Sequence, residues 1–159
     1  MALPRSIPLY TRIGREIPNV HLLELHPQTA RRVVEGHRKT YPTARLRRPP
    51  AGHYNCHGLT FANRRTCIPD PESVLSILED DGYRKVKRPE VCLGDVAVYY
   101  EEGKVSHTGV IVQVERLEGL IGGMSIWIMS KWGQAAEYIH SFNDGPYREH
   151  RLQFWSDRP

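Results

Sequence analysis

Long apolar runs are missing from this sequence. No stretch approaches the roughly 18 consecutive apolar residues that a membrane-spanning helix requires, so we expect no membrane partner. Residues 1–5 also lack the apolar core of a secretory signal. We therefore expect synthesis in the cytoplasm without a signal peptide. Export by a route that needs no cleaved signal stays open.

Cysteines are few, and the excess of one charge is small. The chain has 3 cysteines, an odd number that excludes a complete disulfide framework and leaves at least one thiol free. Lys and Arg outnumber Asp and Glu by 22 to 18, giving a net charge of +4. This mild basicity is typical of an ordinary surface, and it is also compatible with an anionic partner such as a cell-wall polymer.

The length of 159 residues fits one domain with little left over. Residues 1–54 carry seven of the 12 prolines and show only weak periodicity, which predicts an arm packed on the domain. Within the arm, a helix is predicted from Gln28 to about Arg38, and residues 45–50 are predicted to form an extended basic connector. Residues 55–159 then form the domain itself.

One helix of the domain has a clear start and stop. Asp70 can accept hydrogen bonds from the first-turn amides, and Pro71 suits the first helical position. Gly82 supplies the stop. The predicted buried stripe comprises Val74, Leu75, Ile77 and Leu78.

Strand patterns follow the helices. Residues 95–100 and 108–114 are rich in β-branched and aromatic residues, and the short segment between them predicts a hairpin. Further strands are predicted over residues 125–130, after a Gly119–Gly123 loop, and over residues 147–155. Helices first and strands afterwards predict an α+β domain with N-terminal helices packed on a small antiparallel sheet.

Cys56 is the first residue with a chemical signature. Asn55 is a good helix cap and would place Cys56 in the first helical turn. There the positive end of the helix dipole favours the thiolate. Gly58 would let another strand or a substrate approach closely. By itself Cys56 could equally be a structural buried cysteine.

His107 opens a predicted strand. Alternation places His107, Gly109 and Ile111 on one face and Thr108, Val110 and Val112 on the other. Gly109 would leave a gap beside the imidazole, as a base that faces a cleft needs. A lone histidine at a strand end is usually a surface or turn residue, so its order and spacing relative to Cys56 carry the prediction.

Three ordered segments together resemble the papain-like cysteine hydrolases of the NlpC and CHAP groups. They are Asn55-Cys56-His57-Gly58, Gly94-Asp95 and His107-Thr108-Gly109-Val110. The resemblance covers roughly residues 54–132. This chain departs from the common motif by having Asn55 where an acidic residue is usual and His57 where serine is usual.

The resemblance implies a papain-like fold and a cysteine peptidase or amidase mechanism without a cofactor. Cys56 would lose its proton to His107 and attack an amide carbon, and the acyl-enzyme would then be hydrolysed. Backbone amides near Cys56 would stabilise the oxyanion. A third polar residue would orient His107, and the candidates are Ser130, His140 and Gln134.

The resemblance also indicates which residues would line a cleft. Asn55, His57, Lys131 and Trp132 are the predicted substrate-binding residues. His57 is a poor base for Cys56 because adjacent helical positions point in different directions. Trp132 could instead be a core aromatic residue.

Alternatives stay open at this stage. Cys56, His57, Cys67 and Cys92 could form a zinc site, although the usual paired cysteine spacing is absent. Basic pairs and runs could make the chain a catalytically inactive binding module for anions, but nucleic acid is not the expected partner. The basic pairs and runs in question are Arg31-Arg32, Arg38-Lys39 and Arg45 to Arg48.

The substrate class within the enzyme reading is also open. Peptidoglycan peptides would make the chain a cell-wall hydrolase or a bacterial effector with antibacterial action, with a cognate inhibitor or immunity protein as partner. A protein-modifying effector that deamidates or cleaves its target would use the same chemistry.

Overall fold

The computed structural model describes residues 5–119 and 123–159. The first four residues, in the segment where no secretory signal is predicted, lie outside the described residues. So do residues 120–122 of the predicted Gly119–Gly123 loop. No helix within the described residues is long and apolar enough to cross a membrane.

Helices and a single sheet make up the described chain, which confirms the predicted α+β class. The helices are α1 (Pro27–Thr40), α2 (Cys56–Ala62) and α3 (Pro71–Asp80). The strands are β1 (Arg45–Arg48), β2 (Arg84–Val86), β3 (Val96–Glu101), β4 (Lys104–Arg116), β5 (Met124–Lys131), β6 (Glu137–Ser141) and β7 (Arg151–Ser156). They form an antiparallel sheet in the order β1-β6-β5-β4-β3-β7-β2.

Helix α3 begins and ends as the sequence predicts. Asp70 accepts a hydrogen bond from the Glu72 amide at 3.0 Å, and Gly82 adopts a positive φ of 75° just after the helix. The predicted stripe needs one correction, because Leu75 is 40% exposed while Ser73 is buried. Ser73 lies four residues before Ile77 and therefore on the same face of the helix.

The strand predictions are confirmed at the centre of the sheet and wrong at its margins. Strands β3, β4 and β5 match, with a tight turn at Glu102 and Gly103. Residues 147–150 form a turn, so β7 begins later than predicted. Strands β2 and β6 were not predicted, because each is short and lacks a long alternating pattern.

The predicted basic connector is partly a strand. Residues 45–48 pair with β6 as an edge strand, in the register Arg45 to Ile139 and Leu46 to Tyr138. The N-terminal arm therefore completes the sheet of the domain. The predicted arm–domain boundary at residue 54 falls between this strand and α2.

The two faces of the sheet have different neighbours. On one face, Val96 and Val98 pack with Val74 and Leu78 of α3. On the other, a cluster forms from alternate residues of the central strands. Its members include Ala97, Tyr99, Ile111, Ile126 and Ile128. Helix α1 packs near the β6 end of the sheet, where Val34 contacts the Trp132–Tyr138 cluster.

Candidate active site

The start of α2 is fixed by Asn55, which confirms the predicted cap. Its side-chain oxygen accepts hydrogen bonds from the amides of Gly58 at 2.9 Å and Ile68 at 3.1 Å. Its side-chain nitrogen donates to the Ile68 carbonyl at 2.8 Å. These three bonds commit the Asn55 amide to holding Cys56 in the first helical turn, so the structure gives it a structural role where substrate binding was predicted.

Gly58 allows a close approach to α2, as predicted, but the neighbour is the backbone of Thr66 in a bend and not a strand or a substrate. A Cβ atom built on Gly58 would lie 1.8 Å from the carbonyl oxygen of Thr66. No side chain fits there without moving backbone. The gap predicted at Gly109 beside the His107 imidazole is not present. Ile128 fills the space next to Gly109, and its Cγ2 would lie 2.4 Å from an added Cβ.

The thiol of Cys56 lies near the point where β4 and β5 separate. The ladder between these strands begins at Val110 and Met129, whereas earlier β4 residues pair with β3. Helix α2 contacts both strands. The Thr108 backbone lies within hydrogen-bonding reach of the thiol. The helix start therefore packs against β4 close to the end of this ladder.

Burial dominates the ionisation of Cys56. It raises the pKa of the thiol to about 11, although hydrogen bonds from the Thr108 and His57 backbones act in the opposite direction. The predicted preference for thiolate at the helix start is therefore wrong for this structure. Cys56 is a protonated thiol at neutral pH, and it needs a base before it can attack a carbonyl carbon.

His57 is the imidazole in direct contact with the thiol. Its Nδ1 lies 3.6 Å from Cys56 Sγ and 2.9 Å from the hydroxyl oxygen of Thr108. Burial lowers the pKa of His57 to about 4, so the ring is neutral at physiological pH. The expectation that His57 points away from Cys56 is wrong.

His107 is completely buried on β4 and has no hydrogen bond. Both of its ring nitrogens are without a partner among the described residues, so no hydrogen bond joins it to Cys56. Burial holds the pKa of His107 well below its usual value, with the neighbouring His140, His57 and His150 acting in the same direction. The ring is thus a neutral base with two uncommitted nitrogens.

Tyr147 holds the His107 ring by stacking. The two ring centroids are 3.7 Å apart and the planes differ by 6°, while Tyr99 packs against His107 at 5.4 Å. Burial raises the pKa of Tyr147, and negative charge on Cys56 would raise it further. Tyr147 therefore lies close to both predicted catalytic residues, although the sequence gives no signal that identifies it.

The candidates for the third residue bond to each other instead of to His107. Ser130 Oγ lies 2.9 Å from His140 Nε2, and His140 Nδ1 lies 2.9 Å from the Ser141 carbonyl oxygen. The carbonyl can only accept, so Nδ1 carries the proton and Ser130 donates to Nε2. Trp132 Nε1 donates to Ser130 at 3.1 Å. This chain of bonds satisfies every member, and neither Ser130 nor His140 reaches His107.

The remaining predicted residues differ in environment. Gln134 is exposed and belongs to the turn after β5. Trp132 is buried and stacks on Tyr138 with centroids 4.0 Å apart, so the structure places it in an aromatic core instead of a cleft. Lys131 is also buried, although its charge would be felt at Cys56.

Lys131 belongs to a buried polar cluster behind the thiol. Its ammonium group donates to the Gly133 carbonyl at 2.8 Å and lies 4.8 Å from the centre of the Tyr54 ring. Burial lowers the pKa of Lys131 to about 8. Glu137 accepts hydrogen bonds from Tyr54 and Arg64, both at 2.5 Å. The cluster ties β6 to the residues just before and after α2 through groups that the sequence alone would place on a solvated surface.

The alternative zinc site is not assembled. Within the described part of the chain, no group of three or more His, Cys, Asp or Glu side chains converges closely enough to hold a metal ion. Cys56 and Cys67 are buried whereas Cys92 is exposed, so the three thiols have different surroundings.

No family model, curated protein or solved structure matches this chain.

Proposed function

We propose that this chain is a cysteine-dependent amide hydrolase of the papain-like type, with Cys56 as nucleophile and His107 as general base. The observation that carries the proposal is the state of His107. It is a buried, neutral imidazole whose two nitrogens have no partner among the described residues, and it adjoins Thr108, whose backbone is within reach of the thiol. An unsatisfied buried polar group costs about 1–3 kcal/mol, so a purely structural residue at this position would be expected to have a partner.

The reaction follows from the ionisation of the two groups. Cys56 transfers its proton to an imidazole as sulfur bonds to the carbonyl carbon of the amide. The imidazolium then returns the proton to the leaving amine as the carbon–nitrogen bond breaks, which leaves a thioester. Water, deprotonated by the same imidazole, hydrolyses the thioester and restores the thiol. No cofactor takes part in these steps.

His57 is the rival for the role of base. It already lies 3.6 Å from the sulfur, which is within hydrogen-bonding distance for a thiol. Its Nδ1 is shared with the Thr108 hydroxyl, however, so the nitrogen that faces the thiol is partly engaged. His107 has no such competing bond. We therefore assign proton transfer to His107 and a position beside the thiol to His57.

The substrate we propose is the peptide part of peptidoglycan, which would make the chain a cell-wall hydrolase or antibacterial effector. Proteins that are cleaved or deamidated are the second candidate, because the same thiol chemistry acts on any accessible amide. A catalytically inactive basic binding module is the third. The first two lose activity with Cys56, whereas the third does not depend on the thiol.

The test is hydrolysis of purified sacculi and of a mixed peptide pool, with new amino and carboxyl groups measured by mass spectrometry. Cys56→Ala should abolish product formation, while Cys92→Ala, which removes the exposed cysteine, should leave it unchanged. His107→Gln should lower the rate by at least about 100-fold, as loss of a general base does. His57→Gln should have a smaller effect.

Two results would overturn the assignment. Hydrolysis that survives in Cys56→Ala would remove the chain from the cysteine hydrolases. Full activity in His107→Gln combined with its loss in His57→Gln would transfer the role of base to His57. Circular dichroism of each variant should confirm that the fold is retained.

A further inference from the structure

An open strand edge lies at the end of the sheet formed by β1, on the arm. Strand β1 pairs with β6 on one side, and its other side makes no backbone hydrogen bond to any described residue. All four of its residues are exposed. An open strand edge presents alternating amide donors and carbonyl acceptors, which is the template that an added strand requires.

A shallow groove runs between this strand and α1. Its volume is about 420 Å³. The floor is apolar and comprises Ala30, Val34, Leu46, Pro49 and Pro50. Leu46 is 54% exposed, so part of this apolar surface faces solvent. The groove can accept one apolar side chain from a segment that pairs with β1.

Positive charge surrounds the groove without compensation. Arg31 and Arg38 of α1 line it, whereas Arg45, Arg47 and Arg48 lie on the neighbouring strand β1, with the Arg45 guanidinium 5.1 Å from the centre of the Trp127 ring. None of these guanidinium groups forms a salt bridge or side-chain hydrogen bond with a described residue. The one carboxylate at the groove, Glu35, is paired with Lys39 at 3.2 Å.

We propose that β1 and the adjacent groove bind an extended acidic segment of another protein by strand addition. Its backbone would pair with the free edge of β1, its carboxylates would meet exposed arginines of β1, and one apolar side chain would enter the groove. The free edge offers both donors and acceptors, whereas a phosphate backbone only accepts. This difference favours a peptide over a nucleic acid.

The same charges argue against a second copy of this chain as the occupant. Antiparallel pairing of two β1 strands would bring arginines from both copies together, and like charges on neighbouring strands destabilise pairing. The arginines attract the carboxylates of an acidic partner, whereas they repel the arginines of a second copy. This inference does not depend on Cys56 or on any catalytic activity.

The experiment is a fluorescence anisotropy titration with a labelled synthetic peptide of about nine residues, long enough to span the edge at about 3.3 Å per residue. The peptide alternates glutamate and valine around a central leucine. We expect saturable binding that weakens as salt rises. Arg47→Glu and Leu46→Asp should each weaken binding by at least about tenfold.

A matched control separates this surface from net charge. Lys104→Glu makes the same charge change in the β3–β4 hairpin, and it should leave affinity within about twofold of wild type. Three outcomes would overturn the proposal. They are no binding, equal binding of a peptide with N-methylated alternate amides, and tighter binding of a poly(dT) oligonucleotide, which would identify the surface as a phosphate site.

Discussion

Mild acid should destabilise this protein through its buried imidazoles. His57 is neutral in the folded protein because burial lowers its pKa to about 4, whereas in the unfolded chain it takes up a proton near its ordinary value of 6.5. Its contribution to stability is therefore fully present above pH 6.5 and is lost as the pH falls toward 4. Each pH unit in that window costs about 1.4 kcal/mol, so His57 alone removes about 2 kcal/mol between pH 6.5 and 5.

Two further imidazoles act in the same direction. Burial also lowers the pKa values of His107 and His140, so both add to the slope over the same range. Small domains are stabilised by about 5–15 kcal/mol in total. The protein should therefore lose a large part of its stability by about pH 5, before most carboxylates protonate.

Urea unfolding followed by tryptophan fluorescence at several pH values from 7 to 5 measures this loss. His57→Gln should reduce the slope of the unfolding free energy against pH by up to about 1.4 kcal/mol per unit. A free energy of unfolding that stays flat between pH 7 and 5 would refute the reasoning.

Three other substitutions test separate parts of the structure. Tyr147→Phe keeps an aromatic ring stacked on His107 and should retain activity. Tyr147→Leu removes the stack and should lower kcat/KM by about tenfold and shift the acid limb of its pH profile. Equal rates for the two variants would show that the stack does not position His107. Lys131→Met removes a buried ammonium whose pKa is lowered to about 8, so urea unfolding at pH 7 should show a gain of about 1–2 kcal/mol, allowing for solvent screening. That gain should vanish above pH 10.5, where the lysine is neutral in both states, and a gain that persists there would contradict the cause. Gly58→Ala places a Cβ 1.8 Å from a backbone oxygen and should lower the free energy of unfolding by about 3 kcal/mol or more in the same assay. Gly36→Ala, in open space on α1, should raise it by up to about 1 kcal/mol. Similar values for the two variants would refute the packing argument.

Local chemistry made the helix starts and the central hairpin predictable. Asp70 followed by Pro71 and Asn55 before Cys56 each determine a start through side-chain hydrogen bonds within a few residues. Strands β3 and β4 have long runs of β-branched and aromatic residues. These signals act over short distances in the chain, so the sequence displays them directly.

The edge strands depend on partners far away in the sequence. Strand β1 consists of three arginines and a leucine that are all exposed, so it lacks the buried apolar face from which a strand is recognised in sequence. In β6, Glu137 is completely buried because Arg64 and Tyr54 compensate its charge. A sequence pattern treats such a carboxylate as a surface group, and nothing local indicates otherwise.

The candidate site was predictable as a set of residues more than as a set of contacts. The capped position of Cys56 follows from its neighbours in sequence. The stacking of Tyr147 on His107 and the closed chain from Trp132 to His140 depend on how the strands and the turn before β7 pack together. Such geometry cannot be read from residue types alone.

The pairing of β1 with β6 has a consequence for how the chain folds. Arg48 lies opposite Glu137, so this edge closes only when two segments that are far apart in the chain meet. Domains dominated by such distant pairings fold slowly, because loop-closure entropy is lost before the contacts form. Cys56 leaves water when α2 packs on β4 and β5. Refolding should therefore expose this thiol until α2 docks on the sheet, and protection of Cys56 from alkylation would report that docking.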